Sequence, residues 1–417
     1  MLDDENSNNN NFQYICRADQ ISQGQSRAFT ITTNGDRGGG GGSSDRNSKI
    51  EIAVFNVDGA FFAISNVCVH KGGPLNEGAL KGDIITCPWH GWKYSVRNGK
   101  SAHKGGDSIS SYPVRVLEGR IYVSPIPKAV GKRISKPHKA YQELESAVKQ
   151  HIRNVESSQV LPVDDDNATK VRVLGLSTTN MNDEVTPRKS TSESSLQFAL
   201  DYAKRKYGAE TVMLKLRQLN FRHCEGYYSK NAKACIFPCS ISEMDEKDQM
   251  IEIYQRMIVW ADVVIVATPI RWGSASSLYY QMVQRMNCVQ NQIITHNNYL
   301  IRDKVSAFII TGGQDNVQHV AGELLSFWSQ LGFVFGKFPF SGWSRGWYAE
   351  DTENNVSDNA KSLAFKQDIM RTVSGAVEMS RLIKKNRYDE KVITIDSKNN
   401  SNNNGATIRE SVGSTHE

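Results

Sequence analysis

Residues Asn66–Tyr94 read NVCVHKGGPLNEGALKGDIITCPWHGWKY. Cys68 and His70 stand one residue apart; sixteen residues follow, and then come Cys87 and His90. Each half offers one thiolate and one imidazole from a short loop. Two such halves suit a two-iron cluster in which the cysteines hold one iron and the histidines the other. A structural zinc held by the same four residues is the alternative, although zinc fingers usually pair Cys with Cys and His with His. Gly72, Gly73 and Pro74 after the first pair, and Pro88 and Gly91 beside the second, let two loops close without bulky side chains in the way.

The pattern Cys-x-His-x16-Cys-x-x-His strongly resembles the Rieske [2Fe–2S] family. The resemblance implies Cys68, His70, Cys87 and His90 as iron ligands. Respiratory members of that family carry an extra, disulfide-bonded cysteine in each loop; Gly73 and Trp89 stand at those positions here. CPWHGW-x-Tyr is similar to the ferredoxin and oxygenase branch instead. Trp92 replaces a hydroxyl donor of the respiratory branch, so fewer hydrogen bonds are expected at the cluster. A potential toward the low end of the Rieske range follows, suited to accepting electrons from a flavin or a nicotinamide.

A chain of 417 residues has room for two or three cored domains. Its net charge of +6 is nearly balanced, and no Lys/Arg block with interleaved aromatics points to nucleic acid. Seven cysteines make no even disulfide framework, which fits a reducing cytoplasm. The polar MLDDENSNNNN start does not read as a signal peptide. The longest apolar run, Ile258 to Ile270, is interrupted by Asp262 and too short to span a bilayer. A soluble protein is expected.

From Phe12 to Pro125 the sequence gives short strands and turns, such as AFTITT and KIEIAVFNV, flanking the Gly/Ser-rich GDRGGGGGSSDRNS. These imply an all-β domain over 12–127 with a disordered insertion at 35–48. In PHKAYQELESAVKQHIRNVESS, Tyr141, Leu144, Val148, Ile152 and Val155 recur at helical spacing after Pro137, giving a helical linker over 128–169. From Lys170, apolar strands alternate with helices: KVRVLGL, TVMLKL, DVVIVATPI, VSAFIITGG and VFGKFPF are the strands. That alternation predicts a doubly wound α/β domain over 170–387, with a flavodoxin-like parallel five-stranded sheet and its ligand at the carboxyl ends of the strands. Residues 1–11 and 397–417 are polar and expected to be disordered.

Three loops after strands one, three and four of that sheet would converge on one ligand. The first, LSTTNMNDEVTPRKSTSESS, is dense in hydroxyls before a helix and could hold a phosphate, though such loops often only cap helices. The second is Thr268-Pro-Ile-Arg-Trp-Gly-Ser and the third Thr311-Gly-Gly-Gln-Asp-Asn. Together they resemble the NAD(P)H-dependent FMN reductase branch of the flavodoxin-like superfamily, over roughly Lys170 to Ile383. The resemblance implies Ser177, Arg188, Ser190, Thr191 and Ser192 at the FMN phosphate. It also implies Thr268, Pro269, Ile270, Arg271, Trp272 and Gly273 along the ring edge, and Thr311, Gly312 and Gly313 at the isoalloxazine. Arg271 departs from the common tyrosine; it could stabilise reduced flavin or form an ordinary surface ion pair. Family members commonly act as dimers, which makes a homodimer an expectation here.

Cys224, Cys235 and Cys239 lie where iron–sulfur flavoproteins of this superfamily carry a four-cysteine motif. Their wide spacing fits a cubane poorly; a lost motif or a lid-like loop is expected, with a second metal centre as the alternative. The remaining histidines are scattered, and no two-histidine, one-carboxylate iron site can be read locally. The expected function is an oxidoreductase in which NAD(P)H reduces FMN, and FMN exchanges electrons with the cluster and on to an unknown acceptor. No general acid–base residue is required, and none is assigned. The alternative is an electron carrier or redox sensor with fused ferredoxin and flavodoxin modules and no NAD(P)H turnover.

Overall fold

The computed structural model describes residues 11–34, 47–102, 106–157, 170–181, 188–312, 316–346 and 349–386. Most of the glycine-rich insertion, residues 1–10, the polar linker from 158, Gly313 and the tail lie outside the described residues.

The first part of the chain is all β. Its strands are β1 (Gln13–Arg17), β2 (Ser26–Asn34), β3 (Asn47–Val57), β4 (Ala60–Ser65), β5 (Ala79–Lys81), β6 (Ile84–Thr86), β7 (Lys93–Ser95), β8 (Ser111–Tyr112), β9 (Val114–Leu117) and β10 (Arg120–Val123). They form three antiparallel sheets ordered β1-β10-β9, β2-β3-β4-β8 and β5-β6-β7. The period-two pattern of β3 explains its central place. Ile52 and Val54 face a core with Ile31, Ala63, Ile121 and Val123. Ala53, Phe55 and Val57 face the opposite way, toward Leu75, Ile85, Trp92 and Tyr94. The small β5-β6-β7 sheet therefore rests on the far side of β3, and the Cys87–Trp92 loop is the connection from β6 to β7.

Helix α1 (Lys139–Ser157) begins two residues after Pro137 and buries Tyr141, Leu144 and Val148, the helical stripe read from sequence. Then β11 (Arg172–Ser177), α2 (Thr191–Tyr207), β12 (Glu210–Lys215), α3 (Tyr227–Lys230), α4 (Ser240–Met244) and α5 (Met250–Tyr254) follow. The chain continues through β13 (Val263–Pro269), α6 (Ser277–Arg285), α7 (Asn287–His296), β14 (Val305–Gly312), α8 (Val317–Gln330), β15 (Val334–Ser344), α9 (Ala349–Lys361) and α10 (Leu363–Asn386). The sheet is wholly parallel in the order β12-β11-β13-β14-β15. This is the flavodoxin-like order, and its switch point beside β11 and β13 is where a ligand crevice forms. Every residue of β13 and β14 is buried, as expected of strands covered on both faces. The helix expected over MIEIYQRMIVWA changes character at its middle. After Tyr254 it widens into a π-helix, Gln255–Trp260, a form usually confined to short stretches at strained or functional places.

The two parts share a core. One continuous buried cluster runs from Trp89, Trp92 and Tyr94 in the β domain, through Tyr141, Leu144 and Val148 of α1, to Ile253, Met257, Phe308 and Trp328 under the parallel sheet. Each such aliphatic or aromatic burial is worth about 1.5–3 kcal/mol, so the linker helix is a packed layer between the two parts.

Candidate cluster and flavin sites

The four Cys and His residues of the opening motif come together on two turns closed by backbone hydrogen bonds. In the first, Cys68 N–H donates to the Gly73 carbonyl at 3.0 Å and Gly72 N–H to the Cys68 carbonyl at 2.8 Å. In the second, Cys87 N–H donates to Trp92 O at 2.7 Å and Gly91 N–H to Cys87 O at 3.1 Å. All four side chains are buried. The imidazoles of His70 and His90 meet edge to face, 4.8 Å between ring centres. Gly73 is needed for closeness: a Cβ there would sit 2.8 Å from Cys87 Sγ and 3.0 Å from the Trp89 ring.

These residues fit a cluster on their own chemistry. A hydrogen bond from Cys87 pulls the Cys68 thiol down to about 6 against the opposing effect of burial, helped by Tyr94 and the N–H groups of His70 and Lys71. The Cys87 thiol moves up in turn. The two thiols thus lie close enough to share a proton, and both bind metal in the thiolate form. His90 Nε2 lies 2.9 Å from the Ala234 carbonyl. A ring nitrogen facing a carbonyl must carry the proton, which leaves the Nδ1 lone pair inward for a metal. His70 Nε2 lies 3.2 Å from Glu243 Oε2, and His70 Nδ1 is buried with no partner.

One expectation needs amending. Trp92 does stand where a hydroxyl was expected to be lost, and it stacks flat on His70 at 4.4 Å. Yet Tyr94 OH reaches Cys68 Sγ at 3.3 Å, so a hydroxyl does serve the sulfur side. The stretch holding Cys224, Cys235 and Cys239 is no lid over the flavin crevice. It wraps the histidine edge: Tyr227 packs edge-on against His90 at 4.7 Å, and Ala234 and Glu243 bond the two imidazoles. Cys235 Sγ accepts from Asn287 Nδ2 at 3.2 Å. Among the described residues no three His, Cys, Asp or Glu side chains converge as on a single ion.

The second site is a crevice of about 420 Å³ at the carboxyl ends of β11, β13 and β14. Arg188, Ser190, Thr191, Ser192, Pro269, Ile270, Arg271, Trp272, Thr311 and Gly312 line it, which brings together ten of the residues expected at a flavin. Ser190 caps α2, with Oγ 3.1 Å from Ser192 Oγ, so hydroxyls and free N–H groups share one spot. Gly312 is obligatory for closeness, since a Cβ there would meet Ile270 at 2.8 Å. Ser177, Thr268 and Gly273 do not line the crevice. Ser177 is fully buried and donates to Glu193 Oε2 at 2.7 Å, while Thr268 Oγ1 accepts from Ser276 N–H at 3.1 Å. Both hydroxyls turn away from the crevice, Ser177 to Glu193 of α2 and Thr268 to the N–H that opens α6. Gly273 packs against Asn316. Thr179 and Met181 of the hydroxyl-rich first loop line the crevice as well, with Gly346 and with Asn355 of α9, which no motif signalled. Trp272 is wholly exposed in a left-handed backbone conformation, φ 50°.

Under the Ser190 loop lies a buried ion cluster. Glu193 receives Arg217, Lys215 at 2.8 Å and Ser177. Burial alone would raise its carboxyl, but these partners bring it down to about 2 from 4.5. A depressed carboxylate contributes stability that is complete above about pH 4.5 and lost as pH falls toward 2. We expect acid unfolding, followed by circular dichroism, to release FMN within that window. Glu193→Gln should flatten the pH dependence there.

The Rieske [2Fe-2S] domain family matches residues 11–113. The 3-phenylpropionate/cinnamic acid dioxygenase ferredoxin subunit of Photorhabdus laumondii is 34% identical over 113 residues, 27% of this chain and 91% of that protein. The chain belongs to the Rieske [2Fe–2S] family. The NADPH-dependent FMN reductase family matches residues 172–341, so the Rieske domain is fused to a flavodoxin-like FMN reductase domain. The biphenyl dioxygenase ferredoxin subunit of Pseudomonas sp. strain KKS102 is 42% identical over 72 residues, 17% of this chain and 65% of that protein. A crystal structure of RosB with the bound intermediate 8-demethyl-8-formylriboflavin-5'-phosphate aligns with 59% of this chain and 99% of its own, at 16% identity and a TM-score of 0.42. The Rieske–flavin protein is thus an NAD(P)H-dependent FMN oxidoreductase with a Rieske electron-transfer module, carrying a [2Fe–2S] cluster and FMN. Among its described residues no helix is long and apolar enough to cross a membrane.

Proposed function

We propose that the Rieske–flavin protein works as one relay, in which a hydride from NADH or NADPH is split into single electrons that leave through the cluster to an acceptor. The observation that carries this reading is the shared core, which packs the cluster turns and the flavin fold into one body. When bound, FMN supplies the change from two-electron to one-electron chemistry and the [2Fe–2S] cluster supplies single-electron carriage. Cys68 and Cys87 would hold one iron and His70 and His90 the other. Arg188, Ser190, Thr191 and Ser192 would hold the FMN phosphate, with the free N–H groups of α2 behind them. Pro269 to Trp272 and Thr311 to Gly312 would flank the ring, and Arg271 places a cation where negative charge would build.

We assign residues 12–127 to the Rieske domain, 128–169 to the helical linker and 170–387 to the flavin domain. All seven cysteines are free, which supports a reducing, cytoplasmic setting. The bare Trp272 ring at the crevice mouth supports a homodimer in which a second copy covers it.

Anaerobic stopped-flow mixing of the holoprotein with NADH and, separately, NADPH tests the relay. We expect the flavin absorbance to bleach first and the Rieske EPR signal to rise afterward. A flavin that no nicotinamide bleaches, while dithionite reduces both centres, would leave the carrier alternative in its place.

A further inference from the structure

We propose that residues Tyr227–Glu243 of the flavin domain are a built-in docking partner for the histidine edge of the Rieske domain, and that Glu243 is a positioning residue that lowers the cluster's reduction potential through His70. This rests on the reading that His70 and His90 ligate iron.

A histidine ligand has one nitrogen for the metal and one facing outward, and the outward edge is the route by which such a centre meets a partner. Here both outward nitrogens are taken by the same chain. Ala234 O accepts from His90 Nε2 at 2.9 Å, and Glu243 Oε2 sits 3.2 Å from His70 Nε2. The Tyr227 ring closes the His90 face. His70 and His90 are only 4% and 6% exposed. Neighbouring bonds hold the cover down. His138 Nε2 lies 2.6 Å from Ser242 O, and Tyr141 OH donates to Pro238 O at 2.9 Å. A separate protein therefore has no path to the imidazole edge, and an acceptor protein must take electrons from another side of the cluster.

The Glu243 side chain is 4% exposed and gathers partners from the Rieske side of the junction. Arg133 pairs with it and also donates to the His70 carbonyl at 3.1 Å, and Lys71 Nζ lies 3.5 Å away. A carboxylate accepting the outer N–H of a ligating imidazole makes that ligand more basic. A more basic, more negative ligand favours the oxidised, more positive metal centre, so the potential falls. Removing the carboxylate charge acts twice, since Arg133 and Lys71 would then face the imidazole uncompensated. Removing Arg133 acts the other way.

The test is dye-mediated potentiometry of the full-length holoprotein, read by the Rieske EPR signal, in wild type, Glu243→Gln, Glu243→Asp and Arg133→Gln. Glu243→Gln keeps an acceptor but loses the charge. Its midpoint should rise by about 59 mV or more, a tenfold change in the one-electron equilibrium. Glu243→Asp should return toward wild type, and Arg133→Gln should fall below it. Damage to the fold would not give shifts of opposite sign. An unmoved midpoint in Glu243→Gln at wild-type iron content overturns the proposal, as does a shift of the same sign in Arg133→Gln. Dithionite and dyes drive this titration, so it stands apart from any failure of NAD(P)H to reduce the flavin. Absence of a Rieske signal in the wild type would instead overturn the cluster assignment itself.

Discussion

Cys87→Ala should yield a protein that keeps its FMN and loses its cluster completely. The turn that carries Cys87 is held by backbone bonds to Trp92 and Gly91, which the substitution leaves in place. The flavin crevice is lined by residues of α2, α9 and the loops after β11, β13, β14 and β15, and Cys87 is not among them. What disappears is the sulfur itself, one of two that a Rieske cluster requires. The iron that Cys68 and Cys87 would share is left with a single protein thiolate, so the remaining site binds iron poorly. Iron analysis should fall to background and the Rieske EPR signal should vanish. NAD(P)H should still bleach the flavin. A surviving Rieske signal in Cys87→Ala would mean that the ligand assignment is wrong.

Arg285→Ala should be the most destabilising single change among the buried ion pairs. Arg285 and Asp248 side chains are both 0% exposed and meet at 2.7 Å. Arg285 also donates to the Arg222 carbonyl at 2.7 Å and to Ser242 Oγ at 2.8 Å, and Asp248 accepts from Arg222 N–H at 2.9 Å. Truncating one partner leaves a buried, uncompensated charge, which costs about 3–5 kcal/mol. For a domain of this size that lowers the melting temperature by on the order of 10 °C. The pair ties α6 to the stretch that covers the histidine edge, so a chelator should also strip iron from the variant faster. Joint replacement by apolar residues, Arg285→Met with Asp248→Leu, should recover much of the loss in a thermal melt. If the single variant melts within a degree or two of wild type, the pair is not the strut described.

What could be read in the sequence was local or periodic. The Cys-x-His and Cys-x-x-His halves were legible because two short loops carry the whole chemical signature. The parallel sheet was legible because β13 and β14 are apolar nearly throughout. The Pro269–Trp272 and Thr311–Gly312 loops were legible because strand ends in this topology point at the crevice. Ser177 and Thr268 misled because a hydroxyl at a strand end is chemically plausible at a phosphate, and only side-chain direction turns it inward. Glu243 left no trace, since it lies 173 residues from His70 and chain distance hides the contact. Tyr94 was readable as part of the motif, but its bond to Cys68 needed the fold. Helix α9, which brings Asn355 to the crevice, is too polar for periodicity to reveal.

The buried layer that runs from Trp92 through α1 to Trp328 also changes how speed depends on quantity. A free ferredoxin must find its reductase by diffusion, so its turnover slows as the two are diluted. Two modules fastened by packed side chains meet at a fixed effective concentration. The internal hand-over becomes first order, the same in a crowded cell and in a thinned extract. Only the encounters with the nicotinamide and with the final acceptor still depend on how much of anything is present.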